Sequence, residues 1–470
     1  MLFNSLEFLF LFLPVVLALS RVLRGKWLLG WVALASYVFY AFAGHVWFLV
    51  PMLLTTAMDF ELARRIDAAP PGSRTRRWLL ILSLTSSLGL LAYFKYGGLL
   101  ARTSGQVLAF MGAGAAPAWV GELFDVMLPA GISFYTFQTM AYVVDVYRGH
   151  CKAERDFWTF TCFVSFFPHL VAGPLTRHHQ LIPGLERMAA EGIRPRWREG
   201  VFLFAIGLCK KVLVADRIAQ VIDPLLLDVS HAGAMEAWLA MLGFSLQIYF
   251  DFSGYTDMAI GLGRLFGIEL PQNFDSPYQA RDPSDFWRRW HITLSQWLRD
   301  YLYISLGGNR CSPARRHFNL VVTMVLGGLW HGASWTFAAW GLYHGLLLVA
   351  FHQGRTAWAR LAPFVQRGLT FLLVCVGWVF FRATSFTQAR DWCSALVGGR
   401  GLGLERLGPE HLVLALLVAL GLYVAGWRRN ASHSSGLGQL SAMRQAALGA
   451  LAGVAVLLLS NGSRFLYFQF

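Results

Sequence analysis

One histidine and one aspartate, His331 and Asp251, lie where charged or titratable side chains are otherwise scarce. Asp251 follows a run without charge from Ala237 to Phe250, and His331 lies near the middle of residues 317–354, which contain no Asp, Glu, Lys or Arg. His291 lies among tryptophans and arginines. Burying an ionisable group away from water is costly, so each of these residues needs a partner or a function.

His331 has the properties that a general base for a hydroxyl requires. Desolvation in the uncharged stretch favours the neutral imidazole, which keeps one ring nitrogen as a proton acceptor. Gly327, Gly328 and Gly332 flank it and allow close approach by a backbone or a ligand. A histidine hydrogen-bonded to a neighbouring helix fits the same pattern, so both interpretations stay open. His344 is expected to mark the end of its helix.

Asp251 also has two interpretations. In the structural one, the helix breaks at Ser253 and Gly254, and the carboxylate accepts hydrogen bonds from the freed backbone amides. At that depth the carboxylate needs a partner or a water-filled cavity, and a functional role for it is the second interpretation.

The segment from Asp282 to Leu302 predicts one amphipathic helix. Asp282 or Ser284 can cap it, and Pro283 suits its first turn. Large apolar side chains repeat every three or four residues on one face: Trp287, Trp290, Leu294, Trp297, Leu298 and Tyr301. The other side carries Arg288, Arg289, Ser295, Gln296 and Arg299. This division is typical of a helix in the membrane interface, and periodicity alone favours an interfacial role for His291 at the edge of the apolar face.

The composition of the whole chain is that of a polytopic helical membrane protein. Of 470 residues, 56% are hydrophobic, 15% aromatic and only 14% charged, whereas soluble domains average about 25% charged residues. Disordered chains, disulfide-rich secreted scaffolds and nucleic-acid-binding domains fit this composition poorly. The sequence therefore predicts an all-α membrane fold.

Apolar runs recur along the chain and predict about ten to twelve transmembrane helices, with short interfacial or re-entrant helices where a run is too short to span. The runs are Phe8–Leu19, Trp27–Ala43, Val46–Met58, Trp78–Tyr93, Ile132–Val144, Phe157–Val171, Phe202–Val214, Ala237–Phe250, Leu320–Trp340, Gly341–Phe351, Leu369–Phe381, Leu412–Ala425 and Ala446–Leu459. The polar stretches between them are too short for an independent core, so we expect one membrane domain, 1–470, and no separate soluble domain.

The net charge of +14 fits this prediction, because cytoplasmic loops of membrane proteins accumulate lysine and arginine. Basic clusters lie between apolar runs at Arg21–Lys26, Arg64–Arg77 and Arg194–Arg198. The six cysteines form no CxxC pair and no metal-type spacing with histidine. We therefore expect no metal site.

Five sequence blocks, in the same order, resemble the membrane-bound O-acyltransferase family and, within it, the bacterial alginate O-acetyltransferase branch. The blocks are Leu128–Phe137 with Val144–Gly149, Phe166–Pro174, Tyr249–Tyr255, Phe286–Gly308 and Gly328–Gly332. The resemblance covers essentially the whole chain and is strongest in the core region 128–345. It implies a helical bundle around a central tunnel, with short interfacial helices forming a funnel.

The resemblance also assigns residues. His331 takes the place of the family's catalytic histidine, and His291 takes a second conserved polar position. Further candidates for the substrate tunnel are Asp251, Tyr249, Trp287, Arg288, Arg289, Ser295, Trp330 and Trp335.

The function that the resemblance implies is transfer of an acetyl group from cytoplasmic acetyl-CoA, with no bound cofactor. The acetyl group would cross the bacterial inner membrane, in which this multi-pass protein contacts lipid, and reach a separate extracytoplasmic acetyltransferase of the Ser-His-Asp esterase type. The final acceptor would be a cell-envelope polysaccharide. An alginate-type exopolysaccharide is the first candidate, and peptidoglycan or cellulose is the second. We expect no nucleic-acid partner.

Two alternatives remain. One is D-alanyl transfer to teichoic acid from a small carrier protein. The other is a polysaccharide or lipid transporter without covalent chemistry, but transporters often carry broken helices in both halves of the chain, whereas the polar motifs here occupy one central block.

The basic loops predict the topology of the chain. Because moving several arginines across a membrane is unfavourable, Arg64–Arg77 and Arg194–Arg198 should face the cytoplasm. Single cysteines placed at Arg64 and Arg198, in a background without the native cysteines, should resist a membrane-impermeant thiol reagent in intact cells and react after permeabilisation. Labelling in intact cells would reverse the orientation.

Overall fold

The computed structural model describes residues 1–112, 123–124, 126–227, 229–403, 408–427, 441–459 and 465–466. Within these residues the chain folds into helices and forms no β-strand, which confirms the predicted all-α class. The chain divides into two compact units. Unit 1 comprises Met1–Val201 and Ala259–Pro271, and unit 2 comprises Phe202–Met258 and Gln272–Phe470.

Unit 1 contains the first nine α-helices and the beginning of the tenth. They are α1 Leu13–Val22, α2 Gly25–Ala43, α3 Leu49–Ala68, α4 Arg74–Leu91, α5 Gly97–Phe110, α6 Ile132–Arg148, α7 Phe157–Ser165, α8 Phe167–Leu170, α9 His178–Glu191 and α10 Trp197–Cys209. Single π-helical turns precede α1 and α5, at Phe8–Phe12 and Ala92–Tyr96, and a 3₁₀ turn at Val46–Phe48 precedes α3.

Unit 2 contains the end of α10 and most of the candidate residues. Its α-helices are α11 Asp216–Leu227, α12 Ala234–Leu265 (up to Met258), α13 Pro283–Arg289, α14 Ile292–Trp297, α15 Pro313–His331, α16 Trp335–Gln353, α17 Arg355–Trp358, α18 Pro363–Arg382, α19 Phe386–Leu396, α20 Pro409–Trp427 and α21 Ala442–Leu457. Two π-helical turns, Lys210–Ala215 and Leu298–Tyr303, and two 3₁₀ turns, Val229–His231 and Pro277–Gln279, complete the described elements.

Within the described part of the chain, three helical segments are long and apolar enough to cross a membrane. They are Val46–Ala68, Arg74–Phe110 and Pro363–Arg382, with 23, 37 and 20 residues. Shorter apolar helices occur at Phe8–Val22, His411–Gly426 and Ala442–Leu457. These segments fit the predicted polytopic membrane protein, while the number of ten to twelve spans stays a prediction.

α15 and α16 form an antiparallel pair in direct backbone contact. A Cβ atom on Gly328 would collide with the carbonyl oxygen of Phe337, and one on Gly341 would collide with that of Met324. Only glycine permits this approach without displacing a backbone. The space beside these glycines is thus taken by the partner helix and not by a substrate.

The break between α15 and α16 falls inside the apolar run Leu320–Trp340 that the sequence presents as continuous. His331 ends α15, Gly332 adopts an extended conformation, and the Ser334 side chain accepts a hydrogen bond from the Thr336 amide at the start of α16. The expectation that His344 marks a helix end is wrong, because it lies inside α16.

The predicted amphipathic helix from Asp282 to Leu302 is also interrupted. Asp282 caps α13 as expected, by accepting a hydrogen bond from the Asp285 amide at 2.7 Å. The helix then stops at Arg289, and His291 adopts a left-handed conformation with φ +43° before α14 begins. A helical wheel assumes one continuous helix, so it places His291 incorrectly.

α12 continues through Ser253 and Gly254, so the predicted helix break there is wrong. Gly254 instead permits close contact with Gly207 near the end of α10, since a Cβ on Gly254 would lie 2.8 Å from the Gly207 carbonyl oxygen. The π-helical turn Lys210–Ala215 directly follows α10. Turns of this kind occur frequently at functional sites.

Two lysines in that π-helical turn, Lys211 buried and Lys210 partly buried, pair with aspartates on α12. Lys211 Nζ lies 2.6 Å from Asp251 Oδ1 and 2.8 Å from Asp216 Oδ1 at the start of α11, and Lys210 Nζ lies 2.6 Å from Asp257 Oδ2. The Leu466 amide donates a further hydrogen bond to Asp251 Oδ2. The buried carboxylates of Asp251 and Asp257 therefore each have a cationic partner.

In unit 1, several residues of the basic clusters have structural partners. Arg76 is buried and donates to the carbonyl oxygens of Val146 and Tyr147 at the end of α6. Arg196 donates to Glu269 at 2.6 Å and thereby lowers the pKa of that carboxyl. These clusters are consequently less available to an anionic ligand than their sequence indicates.

Breaking the pair Lys210–Asp257 on one side should cost far more stability than breaking an exposed pair. Replacing only Lys210 with Met leaves the buried Asp257 carboxylate uncompensated, which costs about 3–5 kcal/mol. Replacing only Asp257 with Leu should cost less, because Lys210 is only partly buried, and Lys210→Met with Asp257→Leu should recover much of the loss. Unfolding in detergent solution measures all three variants. As the control, Arg64→Met breaks the exposed pair with Glu61 and should cost less than about 1 kcal/mol. Additive effects of the two core substitutions would contradict the coupling.

Candidate active site

His331 and His291 lie together inside unit 2. Both are buried, and their ring centroids are 6.2 Å apart. His331 is delivered by the end of α15 and His291 by the break before α14. The structure therefore brings together the two histidines that the resemblance singled out, although the pattern along the chain placed His291 in the membrane interface.

Asn273 holds the chain around His291 in place. Its backbone carbonyl accepts from the Ile292 amide, and its side-chain oxygen accepts from the Thr293 amide and hydroxyl. His291 Nδ1 lies 3.2 Å from the same side-chain oxygen. The Thr293 amide can only donate, so the Asn273 side-chain atom that it contacts must be the acceptor oxygen. His291 Nδ1 therefore carries the hydrogen that points to this oxygen. A neutral His291 ring then has its acceptor at Nε2.

Aromatic rings enclose the histidine pair. Trp330 contacts both histidines, with centroid distances of 5.0 Å to His331 and 5.9 Å to His291. Trp340 and Phe381 lie 5.2 Å and 5.3 Å from His331, both in edge-on arrangements. This packing fixes the ring orientation of His331 and limits the access of water.

Asp251 is engaged in the ion pair with Lys211 and is 2% exposed. The structure thus provides the charged partner that the buried carboxylate requires. Its neighbour on α12, Phe252, is the residue of this turn that reaches the histidines, with its ring 4.8 Å from that of His291.

The other predicted tunnel residues lie in different environments. Trp287 packs against Trp340 at 5.6 Å, and Tyr249 lies 6.3 Å from Trp290. Ser295 donates to the Trp290 carbonyl oxygen across the helix break.

Two arginines and one tryptophan of the predicted set lie further out. Arg289 bridges Asp285 at 3.0 Å and Asp275 at 3.8 Å, so it fastens α13 to the preceding loop. The side chain of Arg288 is 66% exposed, and Trp335 is 47% exposed at the start of α16.

A basic surface lies at the opposite end of α15 from His331. Six exposed arginines lie at the start of α15, after the end of α16 or at the start of α18: Arg310, Arg315, Arg316, Arg355, Arg360 and Arg367. We call these residues the basic end. Residues 301–390 contain no Asp or Glu. α15 has 19 residues, so His331 lies about 27 Å away from the basic end along the helix.

The arrangement suits proton transfer in a water-poor environment. Two imidazoles within one aromatic enclosure can accept and return a proton, and neutral rings are favoured where no charge compensates them. Among the described residues, no group of three or more His, Cys, Asp or Glu side chains could hold a metal ion.

Sequence reasoning missed Asn273, Trp340, Phe381 and the lysine pair. The lysines had a visible signal, because Lys210 and Lys211 interrupt an apolar run. Asn273 and Phe381 gave none, since each reaches the histidines from a distant part of the chain.

Residues 154–387 match the family model for membrane-bound O-acyltransferases. The chain is 42% identical over 420 residues to the probable alginate O-acetylase AlgI of Pseudomonas aeruginosa, an alignment that covers 88% of this chain and 78% of that protein. It is 36% identical over 446 residues to the peptidoglycan O-acetyltransferase of Helicobacter pylori, covering 87% and 82%. It is 27% identical over 274 residues to the teichoic acid D-alanyltransferase of Bacillus subtilis, covering 54% and 69%.

The chain belongs to the membrane-bound O-acyltransferase family. This membership confirms the resemblance in the sequence and makes the protein a multi-pass membrane acyltransferase.

The left-handed backbone of His291 allows its chemical role to be separated from its structural one. Asn and Gly tolerate positive φ, whereas Ala adds strain. His291→Asn and His291→Gly should therefore fold like the wild type but transfer acyl groups at least about tenfold more slowly, while His291→Ala should also lose about 1 kcal/mol of stability. Turnover and unfolding measured together test this.

The control for this series is Arg288→Ala, which alters an exposed side chain and should affect KM for the donor more than kcat. Wild-type turnover by His291→Asn would make His291 a structural residue only.

Proposed function

We propose that this protein is an O-acetyltransferase of the bacterial inner membrane that takes an acetyl group from cytoplasmic acetyl-CoA for the O-acetylation of a cell-envelope polysaccharide. The observation that carries the proposal is the buried pair His331–His291, with rings 6.2 Å apart, in a chain of this acyltransferase family. The alginate and peptidoglycan O-acetylating relatives support the acetyl group and the polysaccharide class.

In the proposed reaction, His331 acts as the general base. Its neutral ring takes the proton from the accepting hydroxyl while that oxygen attacks the thioester carbonyl carbon. The new C–O bond forms, the C–S bond breaks, and the protonated ring returns its proton to the departing thiolate. The thioester is already activated, so the reaction requires no metal. Trp330, which contacts both histidines, keeps them within one enclosure.

The basic end supports entry of the donor from the cytoplasm. Arginines concentrate on the cytoplasmic side of membrane proteins, and acetyl-CoA carries several negative charges that such a surface attracts. His331 lies toward the opposite end of α15. A donor that binds at the basic end would therefore have to place its thioester deep in the helical part of unit 2.

The acceptor would receive the acetyl group on the far side of the membrane. We infer that a separate extracytoplasmic acetyltransferase of the Ser-His-Asp esterase type completes the transfer. The first candidate acceptor is an alginate-type exopolysaccharide, and the second is peptidoglycan or cellulose. The identities to the two O-acetylating relatives, over more than four-fifths of this chain, favour a polysaccharide as the final acceptor.

D-alanyl transfer is the second candidate function. It is supported by the D-alanyltransferase of Bacillus subtilis, but that alignment covers only 54% of this chain. Radiolabelled acetyl-CoA separates the candidates. Purified protein should release the thiol and transfer label to an alginate oligosaccharide, or to the esterase-type partner. Label transfer from a D-alanyl carrier protein but not from acetyl-CoA would reverse the assignment.

His331→Gln should abolish this transfer while the protein still inserts and folds. Loss of a general base typically costs about a hundred- to ten-thousand-fold in rate. Acetyl transfer per mole of folded protein measures the effect, with size-exclusion behaviour as the check on folding.

The control His231→Gln alters an exposed histidine of the 3₁₀ turn Val229–His231 and should leave transfer unchanged. Near-normal transfer by well-folded His331→Gln would rule out the general-base role.

A further inference from the structure

Three rings beside the histidine pair form a closed group whose nitrogens have no protein partners. Trp287, Trp340 and His344 lie within 5.6 Å of one another by ring centroid. Among the described residues, neither indole nitrogen and neither imidazole nitrogen of this group has a hydrogen-bond partner, and all four atoms are buried. We call these residues the indole–imidazole cluster.

Leaving such atoms unsatisfied is expensive. A buried polar group without a partner costs about 1–3 kcal/mol, and native proteins leave few of them without water or a ligand to satisfy them. Trp392, also in unit 2, shows the ordinary arrangement, because its indole nitrogen donates to the Ala237 carbonyl oxygen at 3.1 Å. None of the four ring nitrogens of the cluster has such a partner among the described residues.

The cluster lies next to the reacting residues. Trp340 contacts His344 at 5.0 Å and His331 at 5.2 Å, so one member of the cluster is in direct contact with the proposed general base. On α16, the basic end begins just beyond His352, about 18 Å from Trp340 by helical rise. The cluster is therefore on the route from the basic end to His331.

The chemistry of the cluster selects the group that it can bind. Indole nitrogens only donate, whereas imidazole can donate or accept. His344 Nε2 faces the backbone of Gly377, where a Cβ would lie 2.5 Å away, which leaves Nδ1 for a ligand. Two donors and one acceptor match a secondary amide, which offers a carbonyl oxygen and an N–H.

We propose that the indole–imidazole cluster binds the amide of the acyl donor that lies nearest to the thioester. This inference rests on the proposed function. In acetyl-CoA a two-carbon link joins that amide to the sulfur, and Trp340 of the cluster lies 5.2 Å from His331 by ring centroid. Binding the amide here holds the thioester carbonyl beside the general base.

Donors of decreasing length test the proposal. Acetyl-CoA and S-acetyl-N-acetylcysteamine both keep this amide, and S-propyl thioacetate lacks it. Trp287→Phe and His344→Phe should each lower kcat/KM about 3- to 10-fold with the first two donors, and should leave the ratio to wild type near one with S-propyl thioacetate. Trp340→Phe should lower kcat/KM with every donor, because Trp340 also packs against His331, and should lower it more with the first two donors. His344→Asn, which keeps a polar atom near Nδ1, should recover part of the loss.

The matched control is Trp392→Phe, which removes an indole that already has a protein partner, so its effect should be the same with every donor. Equal losses with all three donors for the cluster variants would make the cluster a structural, water-filled group and overturn the proposal.

Trp287 is only half-buried, so its variant tests the proposal even if the two buried ones fail to fold. A wild type that does not turn over acetyl-CoA would contradict the proposed function instead.

Discussion

Backbone contact between α15 and α16 determines where every ring around His331 lies. Glycines at 328 and 341 let the two helices touch without intervening side chains. The last residue of α15 then meets side chains of α16 at ring-contact distance, above all Trp340. α18 adds Phe381 from the other side. A wider spacing of the two helices would leave His331 in a looser cavity, in which neither its orientation nor the exclusion of water would be secured.

Charge distribution in unit 2 complements this packing. Where the chain must bury carboxylates, as at Asp251 and Asp257, lysines of the π-helical turn compensate them. Around His331, in contrast, the sequence supplies no charge at all, and the arginines collect at the far end of the helices. Burying a charge away from water is costly. The neutral imidazole in the site and the positive surface far from it both follow from this cost.

The sequence was sufficient for the all-α membrane class, the family and the importance of His331 and His291, because these depend on composition and on local motifs. It was insufficient for the conformation of His291. A single left-handed residue that is stabilised by Asn273, eighteen positions away, leaves no trace in helical periodicity. The glycines around His331 were ambiguous for a similar reason, since a residue without a side chain gives space equally to a ligand and to a helix.

The partners of Asp251 also could not be read from its neighbourhood. Lys211 reaches it from another helical segment, and Leu466 reaches it from 215 residues further along the chain. Hydrophobic patterns describe which face of a helix is buried, but they carry little information about which distant residue will satisfy a polar atom on that face.

The hydrogen bond from Leu466 to Asp251 also has a meaning for the time course of biosynthesis. A membrane protein is inserted as it is translated, from its first residues onward. Leu466 is synthesised 215 residues after Asp251. Until Leu466 has been made, the carboxylate lacks one of its hydrogen-bond donors, so the interior of unit 2 reaches its final arrangement only after this residue has joined the chain.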